Sequence, residues 1–387
     1  MTNQESNRAG ISKNLRSLRN ILLKTILLFF LANLVFAACF PMTWLGKLTA
    51  YNFLFPGRQR LPYADNPARA YSLSLNNLEA MFASHELDGT PKPSDEFRVL
   101  LIGDSSTWGF LLPKEQTLSA YLNQAAVRIP DNRRVRVYNL GYPVMSLTKD
   151  LLILSIAMRY QPDLIVWPVT LESFPYDKQL FSPLLQNNRS KVVELISDYQ
   201  LAVDPESVKW NDQNWFSRTL LGARRPLADL LRLQLFGILW AATGIDQEIP
   251  DRYIPRQEDL TAEVSFHNLQ PPHLQERDLA FDVLAAGIQM AGNVPVLLVN
   301  EPIFISEGKN SDIRYNFYYP RWAYDDYRAL IARKSEENGW NYLDLWDAIP
   351  PNEFTNTAVH LTPKGTSIFA QRILEVIFNI ANQSPLN

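Results

Sequence analysis

Two segments far apart in the chain carry side chains that could act together as a nucleophile and a base. Ser105 lies in a Gly-Asp-Ser-Ser motif that directly follows the apolar run at residues 99–102. His360 stands two residues before a Thr-Pro pair, which is typical of the start of a helix. A serine hydroxyl is a weak nucleophile near neutral pH, so it needs a base within hydrogen-bonding distance. The two segments predict a serine hydrolase or acyltransferase in which Ser105 attacks and His360 takes the proton.

The other histidines fit this role less well. His85 lies in a loop upstream of the first predicted strand, whereas His267 and His273 lie in a proline-rich stretch and are interpreted as surface or packing residues. The sequence therefore favours His360 as the base.

Short β-rich runs alternate with helical stretches from residue 97 onward, a pattern typical of a parallel sheet built from βαβ units. The predicted strands are residues 98–103, 135–139, 163–167, 294–300 and 341–345. The predicted helices are residues 115–127, 148–160, 275–290, 323–338 and 363–380. Open α/β sheets bind ligands at the carboxyl ends of their strands. Ser105 is expected at that edge.

Residues 174–274 separate the third and fourth predicted strands. So long a gap predicts an insertion or cap with its own, largely helical structure. Residues 189–199 have a helical pattern, and residues 226–243 are strongly apolar. Asp229 and Arg232 argue against a second membrane span there. A buried cap helix is favoured, and a helix that lies on a membrane surface or on a partner protein is the alternative.

The N-terminal region predicts a membrane anchor. Residues 21–40 are mostly apolar and long enough to cross a bilayer as a helix. Basic residues outnumber acidic ones in the preceding segment, so residues 1–20 are expected in the cytoplasm and the main domain outside it. Residues 41–96 read as a linker with a helix over residues 67–84. A buried core helix and a cleaved signal are the alternatives to a retained signal anchor.

Composition excludes several function classes. The 387 residues are 47% hydrophobic, enough for a large core, and the net charge of -3 gives no electrostatic footprint for nucleic acid. Cys39 is the only cysteine, so an internal disulfide is excluded. Neither a phosphate-binding glycine-rich loop nor a zinc-binding His-Glu-x-x-His motif occurs, and we expect no cofactor and no metal.

Four motifs in order resemble the SGNH (GDSL-type) hydrolase superfamily. They are Gly-Asp-Ser-Ser-Thr-Trp-Gly at 103–109, Asn-Leu-Gly-Tyr-Pro at 139–143, Pro-Asp-Leu-Ile-Val at 162–166 and His-Leu-Thr-Pro-Lys-Gly at 360–365. The resemblance covers residues 97–387 apart from the insertion. It implies a flavodoxin-like three-layer α/β/α sandwich with a parallel five-stranded sheet, and ester hydrolysis or acyl transfer. It also implies Ser105 as nucleophile, His360 as base and the Gly141 N–H as an oxyanion donor.

The chain departs from the family pattern at two positions. Leu171 stands where the family has an asparagine that donates to the oxyanion, so Thr170 would have to take over that role. Loss of one such donor costs on the order of 3 kcal/mol.

Thr357 stands where the family has an aspartate three residues before the histidine. Asn356, a backbone carbonyl or a carboxylate from elsewhere could then orient the imidazole, and Glu301 is a candidate for that carboxylate.

These observations predict a membrane-anchored, extracytoplasmic esterase or O-acyltransferase that acts on an acylated envelope glycan or lipid-linked substrate. The arrangement resembles accessory proteins of polysaccharide O-acylation that work beside a multispanning membrane acyltransferase. The alternative, motivated by Leu171 and Thr357, is a non-catalytic module that keeps the fold for binding or scaffolding.

Overall fold

One sheet of five parallel strands organises the main domain. The computed structural model describes residues 2–48, 54, 57–64, 73–88, 91–211, 214–243, 249–254 and 256–383, without the side chains of 2–13, 235–243 and 383. The strands are β1 (Glu96–Leu101), β2 (Arg134–Asn139), β3 (Leu164–Val169), β4 (Val296–Asn300) and β5 (Asn341–Asp344). Their order, β2-β1-β3-β4-β5, is the flavodoxin-like order. The predicted sheet is confirmed.

Helices cover both faces of this sheet. The α-helices of the described residues are α1 (Thr2–Cys39), α2 (Met42–Lys47), α3 (Leu78–Ala83), α4 (Ser105–Trp108), α5 (Leu118–Gln124), α6 (Leu147–Ala157), α7 (Pro183–Gln186), α8 (Arg189–Asp198), α9 (Arg224–Thr243), α10 (Phe281–Ala291), α11 (Arg321–Asn338) and α12 (Pro363–Gln383). Leu100 and Leu298 point to the face covered by α6, α10 and α11, whereas Val99 and Leu297 point to the face covered by α5 and α12. Because successive side chains of a strand point to opposite faces, both layers bury apolar strand residues. The result is the expected three-layer sandwich.

β3 continues through a proline, which central strands normally exclude because proline has no N–H to donate. The prediction ended this strand at Trp167, but β3 runs on to Val169, and Pro168 pairs with Val299 of β4. On its other side β3 pairs with β1 only as far as Val166. Beyond that point the chain of β1 has turned away, so Pro168 lies on an edge where a missing N–H costs nothing.

The helix predicted over residues 67–84 is shorter in the structure. Residues 67–72 lie outside the described residues, and α3 begins only at Leu78. Asn76 has a φ of +56°, which interrupts helical geometry, and Asn77 caps α3 through a side-chain hydrogen bond from the Ala80 N–H. The predicted helix is therefore absent from residues 73–77, which the structure describes.

The insertion divides into parts that pack differently. The helices α7 and α8 join the domain core, where Leu184, Leu185 and Val192 are fully buried. Along α9, by contrast, Leu233 is the one buried side chain among residues 224–234, and Leu231 is 67% exposed. The expectation of a buried cap helix is wrong for these residues. The described residues of 249–274 contain no helix.

The N-terminal helix α1 contains a segment, Asn14–Cys39, that is long and apolar enough to cross a membrane. Only 11% of its most apolar window is buried inside the molecule. By length and composition this segment could therefore span a bilayer.

Candidate active site

Ser105 sits on a tight turn at the carboxyl end of β1. Gly103 has a φ of +151°, and a Cβ at this position would lie 2.5 Å from Thr107 Oγ1. Asp104 then caps α4, because its Oδ1 accepts a hydrogen bond from the Ser106 N–H at 2.7 Å. Ser105 is the first residue of α4, where a backbone N–H has no partner within the helix. Its hydroxyl and its N–H thus both emerge at the edge where the sheet switches winding direction.

The structure brings Ser105 and His360, 255 positions apart, into direct contact. The Ser105 Oγ lies 2.7 Å from Nε2 of His360, and Nδ1 of His360 lies 3.0 Å from Oδ1 of Asn356. An amide oxygen can only accept, so Nδ1 carries the imidazole proton and Nε2 presents its lone pair to the serine hydroxyl. This is the tautomer that a general base requires. Asn356 therefore occupies the place of the third group of a triad.

The loop before α12 holds His360 in this position. The Thr355 N–H donates to the His360 carbonyl at 2.8 Å, and the His360 N–H donates to Thr357 Oγ1 at 3.0 Å. The ring of Phe110 packs on the imidazole with its centroid 5.2 Å away. Thr357 thus shapes the loop and accepts a hydrogen bond from the His360 backbone.

Burial controls the charge of this imidazole. It lowers the pKa of His360 to about 4, from an ordinary value of 6.5. That shift corresponds to roughly 3 kcal/mol against the protonated ring. His360 is therefore neutral and able to accept a proton at pH 7, but it is a weak base until a developing oxyanion stabilises the imidazolium.

The loop after β2 is pressed against α4. A Cβ at Gly141 would lie 2.5 Å from the Trp108 N, so only glycine fits. Asn139 ties the loop down: its Nδ2 donates to the Thr107 carbonyl at 3.0 Å, and its Oδ1 accepts the Gly141 N–H at 3.0 Å. The N–H predicted to serve the oxyanion is thus directed at Asn139.

Thr170 follows β3 and is fully buried. Its hydroxyl lies 3.0 Å from the Tyr319 hydroxyl, while Leu171 packs into the core. Of the five predicted site residues, Ser105, His360 and Asn356 are joined by hydrogen bonds, whereas Gly141 and Thr170 bond to Asn139 and Tyr319. The catalytic roles remain predictions.

Lys149 of α6 is a residue that sequence reasoning missed. Its ammonium is fully buried and donates to the carbonyls of Gly103 and Tyr142 at 2.6 and 2.7 Å. It also pairs with Asp150 at 2.6 Å. The two hydrogen bonds connect the nucleophile turn to the glycine loop, and the ion pair compensates the charge of the buried ammonium. The sequence signal for this residue is a Lys-Asp pair inside an otherwise apolar predicted helix.

Glu301, a candidate to orient His360, has a different environment. It directly follows β4 and is buried beside Asp104 and Ser106. Burial raises the pKa of Glu301 well above its ordinary value, and the neighbouring Asp104 carboxylate raises it further. Burial raises the pKa of Asp104 as well, so the site favours the protonated form of both carboxyls more than water does. This pair lies under the nucleophile turn.

Two further carboxylates near this edge form ion pairs. Glu172 binds Lys178 at 2.6 Å and His267 at 3.0 Å. Asp344 binds Arg328 at 2.7 Å, and Tyr319 and Tyr324 are fully buried packing residues. In the described part of the chain no group of three or more His, Cys, Asp or Glu residues could hold a metal ion.

Several solved structures have a chain trace similar to that of this protein. A carbohydrate acetylesterase family member from Sinorhizobium meliloti is 15% identical over 74% of this chain and 99% of its own, with a TM-score of 0.32. A member of the lipolytic protein G-D-S-L family from Veillonella parvula is 11% identical over 72% of this chain and 97% of its own, with a TM-score of 0.35. The M. Smegmatis aryl esterase is 12% identical over 73% of this chain and 98% of its own, with a TM-score of 0.34. No protein-family model and no curated protein matches the sequence.

The lowered pKa of His360 predicts how activity depends on pH. A general base must be deprotonated, so kcat/KM for p-nitrophenyl acetate is expected to rise through about pH 4 and to stay level toward neutral pH. The rate of Ser105→Ala is subtracted as background, and circular dichroism at each pH checks that acid has not unfolded the protein. A midpoint near the ordinary histidine value would contradict the buried neutral base.

Replacing Asn356 tests its orienting role. Asn356→Ala removes the acceptor for Nδ1–H and should lower kcat by roughly tenfold, the equivalent of one hydrogen bond. Asn356→Asp keeps the acceptor and adds a charge, so the pH midpoint should move upward. Both are read from kcat and kcat/KM against pH. Unchanged profiles in both variants would show that Asn356 does not act on the imidazole.

The Glu301 carboxyl predicts a pH-dependent contribution to stability. Its pKa is raised in the folded state, so its contribution is full below the unfolded value of 4.5 and is lost as pH rises through the folded pKa. Glu301→Gln cannot ionise, so its free energy of unfolding should increase relative to wild type as pH rises from acid to alkaline. Urea unfolding across pH measures this, with the exposed Glu336→Gln as control. Parallel curves for wild type and Glu301→Gln would refute the raised pKa of Glu301.

Proposed function

We propose that this protein is a serine-dependent esterase or O-acyltransferase. The observation that carries the proposal is the 2.7 Å contact between Ser105 Oγ and His360 Nε2, with Nδ1 held by Asn356. Nucleophile and base are already within hydrogen-bonding distance and in the correct tautomer, as this chemistry requires.

The first half-reaction transfers the acyl group to the enzyme. Ser105 Oγ attacks the ester carbonyl while its proton passes to Nε2 of His360, and the carbonyl oxygen becomes an oxyanion. When the intermediate collapses, the C–O bond to the leaving alcohol breaks and His360 returns the proton to that alcohol. The N–H of Ser105 at the start of α4 is the donor best placed for the oxyanion.

The second half-reaction regenerates the serine. Water or a sugar hydroxyl attacks the acyl-serine, His360 accepts its proton, and the proton then passes to Ser105 Oγ as the acyl bond breaks. Water gives a free acid, so the protein is an esterase; a sugar hydroxyl gives a new ester, so it is an acyltransferase. Both outcomes use the same residues.

The proposed location is the outer face of a cell membrane. The Asn14–Cys39 segment of α1 serves as a single-pass anchor, with the basic N-terminus inside and the sandwich outside. There the enzyme meets acylated envelope glycans or lipid-linked substrates, and a multispanning membrane acyltransferase is the partner that would supply the acyl group.

A non-catalytic binding module is the second candidate. It is favoured by the hydrogen bonds that occupy Gly141 and Thr170, because two expected oxyanion donors are then engaged elsewhere. Such a module would keep the fold and lack reactivity at Ser105.

A fluorophosphonate probe distinguishes the two candidates, because it reacts with serines that a neighbouring base activates. Wild type is expected to be labelled and Ser105→Ala is not. The neighbouring Ser106→Ala serves as the matched control and should be labelled. His360→Gln should react at least about 100-fold more slowly, the usual contribution of a general base. Labelling is measured by intact mass.

Absence of labelling in folded wild-type protein would reject the enzyme and favour the binding module. Labelling that persists in Ser105→Ala would place the reactive serine elsewhere and contradict the proposal.

A further inference from the structure

The insertion touches α1 inside its apolar span. The Leu221 N–H donates to Oδ1 of Asn33 at 3.1 Å, and the Arg218 guanidinium lies 5.1 Å from the centre of the Phe40 ring. Further along, the Gln234 side chain donates to the Leu48 carbonyl at 3.1 Å. Residues 214–234, which we name the foot, therefore run beside the outer end of this helix.

The depth of the Asn33–Leu221 contact in a bilayer follows from helix geometry. Asn33 precedes Cys39, the last residue of α1, by six positions, which at 1.5 Å per residue places it about 9 Å along the helix axis from that end. If the apolar segment crosses a bilayer, the contact with Leu221 lies at the level of the outer acyl chains and not in water.

The polar groups at this contact satisfy one another. Asn33 is only 7% exposed; its Nδ2 donates to the Phe29 carbonyl at 2.8 Å, and its Oδ1 accepts from Leu221. An unpaired backbone N–H or side-chain amide in hydrocarbon is costly. The pairing removes this penalty for one backbone N–H of the foot and for the asparagine, so both are suited to an apolar surrounding.

The outer surface around this contact is apolar and aromatic. Trp215, Phe216, Leu221 and Leu231 of the foot are exposed, as is Trp44 of α2. Large exposed apolar patches mark binding or membrane surfaces, and tryptophan is enriched at membrane interfaces. The foot also contains four arginines and one aspartate, a positive balance that complements anionic lipid headgroups.

We propose that the foot is embedded in the outer leaflet beside α1, as a second membrane attachment of the domain. This inference rests on the proposed membrane anchoring of α1. Lipid is the favoured occupant because the patch continues directly from the apolar surface of that helix. Two attachments would fix the orientation of the sandwich above the bilayer, whereas a single helix would leave it free to rotate.

Spin labels on the full-length protein test this proposal in vesicles of phosphatidylcholine and phosphatidylglycerol. Single cysteines replace Phe216 and Leu221 in a Cys39→Ser background, and thermal unfolding confirms that each variant folds. Collisions with oxygen, which concentrates in lipid, are compared with collisions with a water-soluble nickel chelate. Phe181→Cys is the control, since Phe181 is 65% exposed and Phe216 53%. Leu27→Cys on α1 reports the anchor itself.

The oxygen-to-nickel ratio at Phe216 and Leu221 should exceed that at Phe181 several-fold and lie below that at Leu27, which is deeper in the bilayer. Labels in water at Phe216 and Leu221, with Leu27 in lipid, would overturn the embedded foot and leave the anchor intact. Labels reached by neither reagent would show that protein covers the foot, which also overturns the proposal. A label in water at Leu27 would overturn the anchor and the foot together.

Discussion

The hydrogen bond between Ser105 and His360 is the constraint on which the rest of the site depends. The two residues come from opposite ends of the main domain, so their 2.7 Å contact requires β1 and the loop before α12 to end at one edge of the sheet. The turn at Gly103 and the cap at Asp104 fix the serine, and α12 with its preceding loop fixes the imidazole. The buried Lys149 ammonium donates to the Gly103 carbonyl and thereby stabilises the turn.

A base without a carboxylate partner is the chemical consequence of this arrangement. Burial alone sets the pKa of His360 near 4, and Asn356 offers a dipole where a charge would otherwise stabilise the imidazolium. The imidazole therefore stays neutral over a wide pH range, but it is a weaker base than an ordinary histidine. Stabilisation of the transition state must then come mainly from the oxyanion beside the imidazolium and its donors. Carboxyls are nevertheless close by, but Asp104 and Glu301 are buried beside the serine turn, and burial raises the pKa of both.

Much of the fold could be predicted from the sequence, because each strand is a short apolar run bounded by turn residues. Ser105, His360 and Asn356 could be proposed because their types and positions carry a chemical meaning. Lys149, Asn139 and Glu301 act through contacts with distant backbone or buried groups, which no local pattern encodes. The direction of the Gly141 N–H and the exposure of α9 depend in the same way on tertiary packing.

The protonation of His360 is the most direct test of this account. Nitrogen NMR of protein labelled with ¹⁵N-histidine reads each ring nitrogen, and His360→Gln assigns the signals. His85 is an internal reference with the opposite tautomer, because its Nε2 donates to the Asn139 carbonyl at 3.0 Å and its Nδ1 accepts from Leu87. At pH 7 we expect His360 to carry its proton on Nδ1, with Nε2 bare and shifted by Ser105→Ala. A proton on Nε2, or on both nitrogens, would contradict the hydrogen bond from the Ser105 hydroxyl to Nε2 of His360.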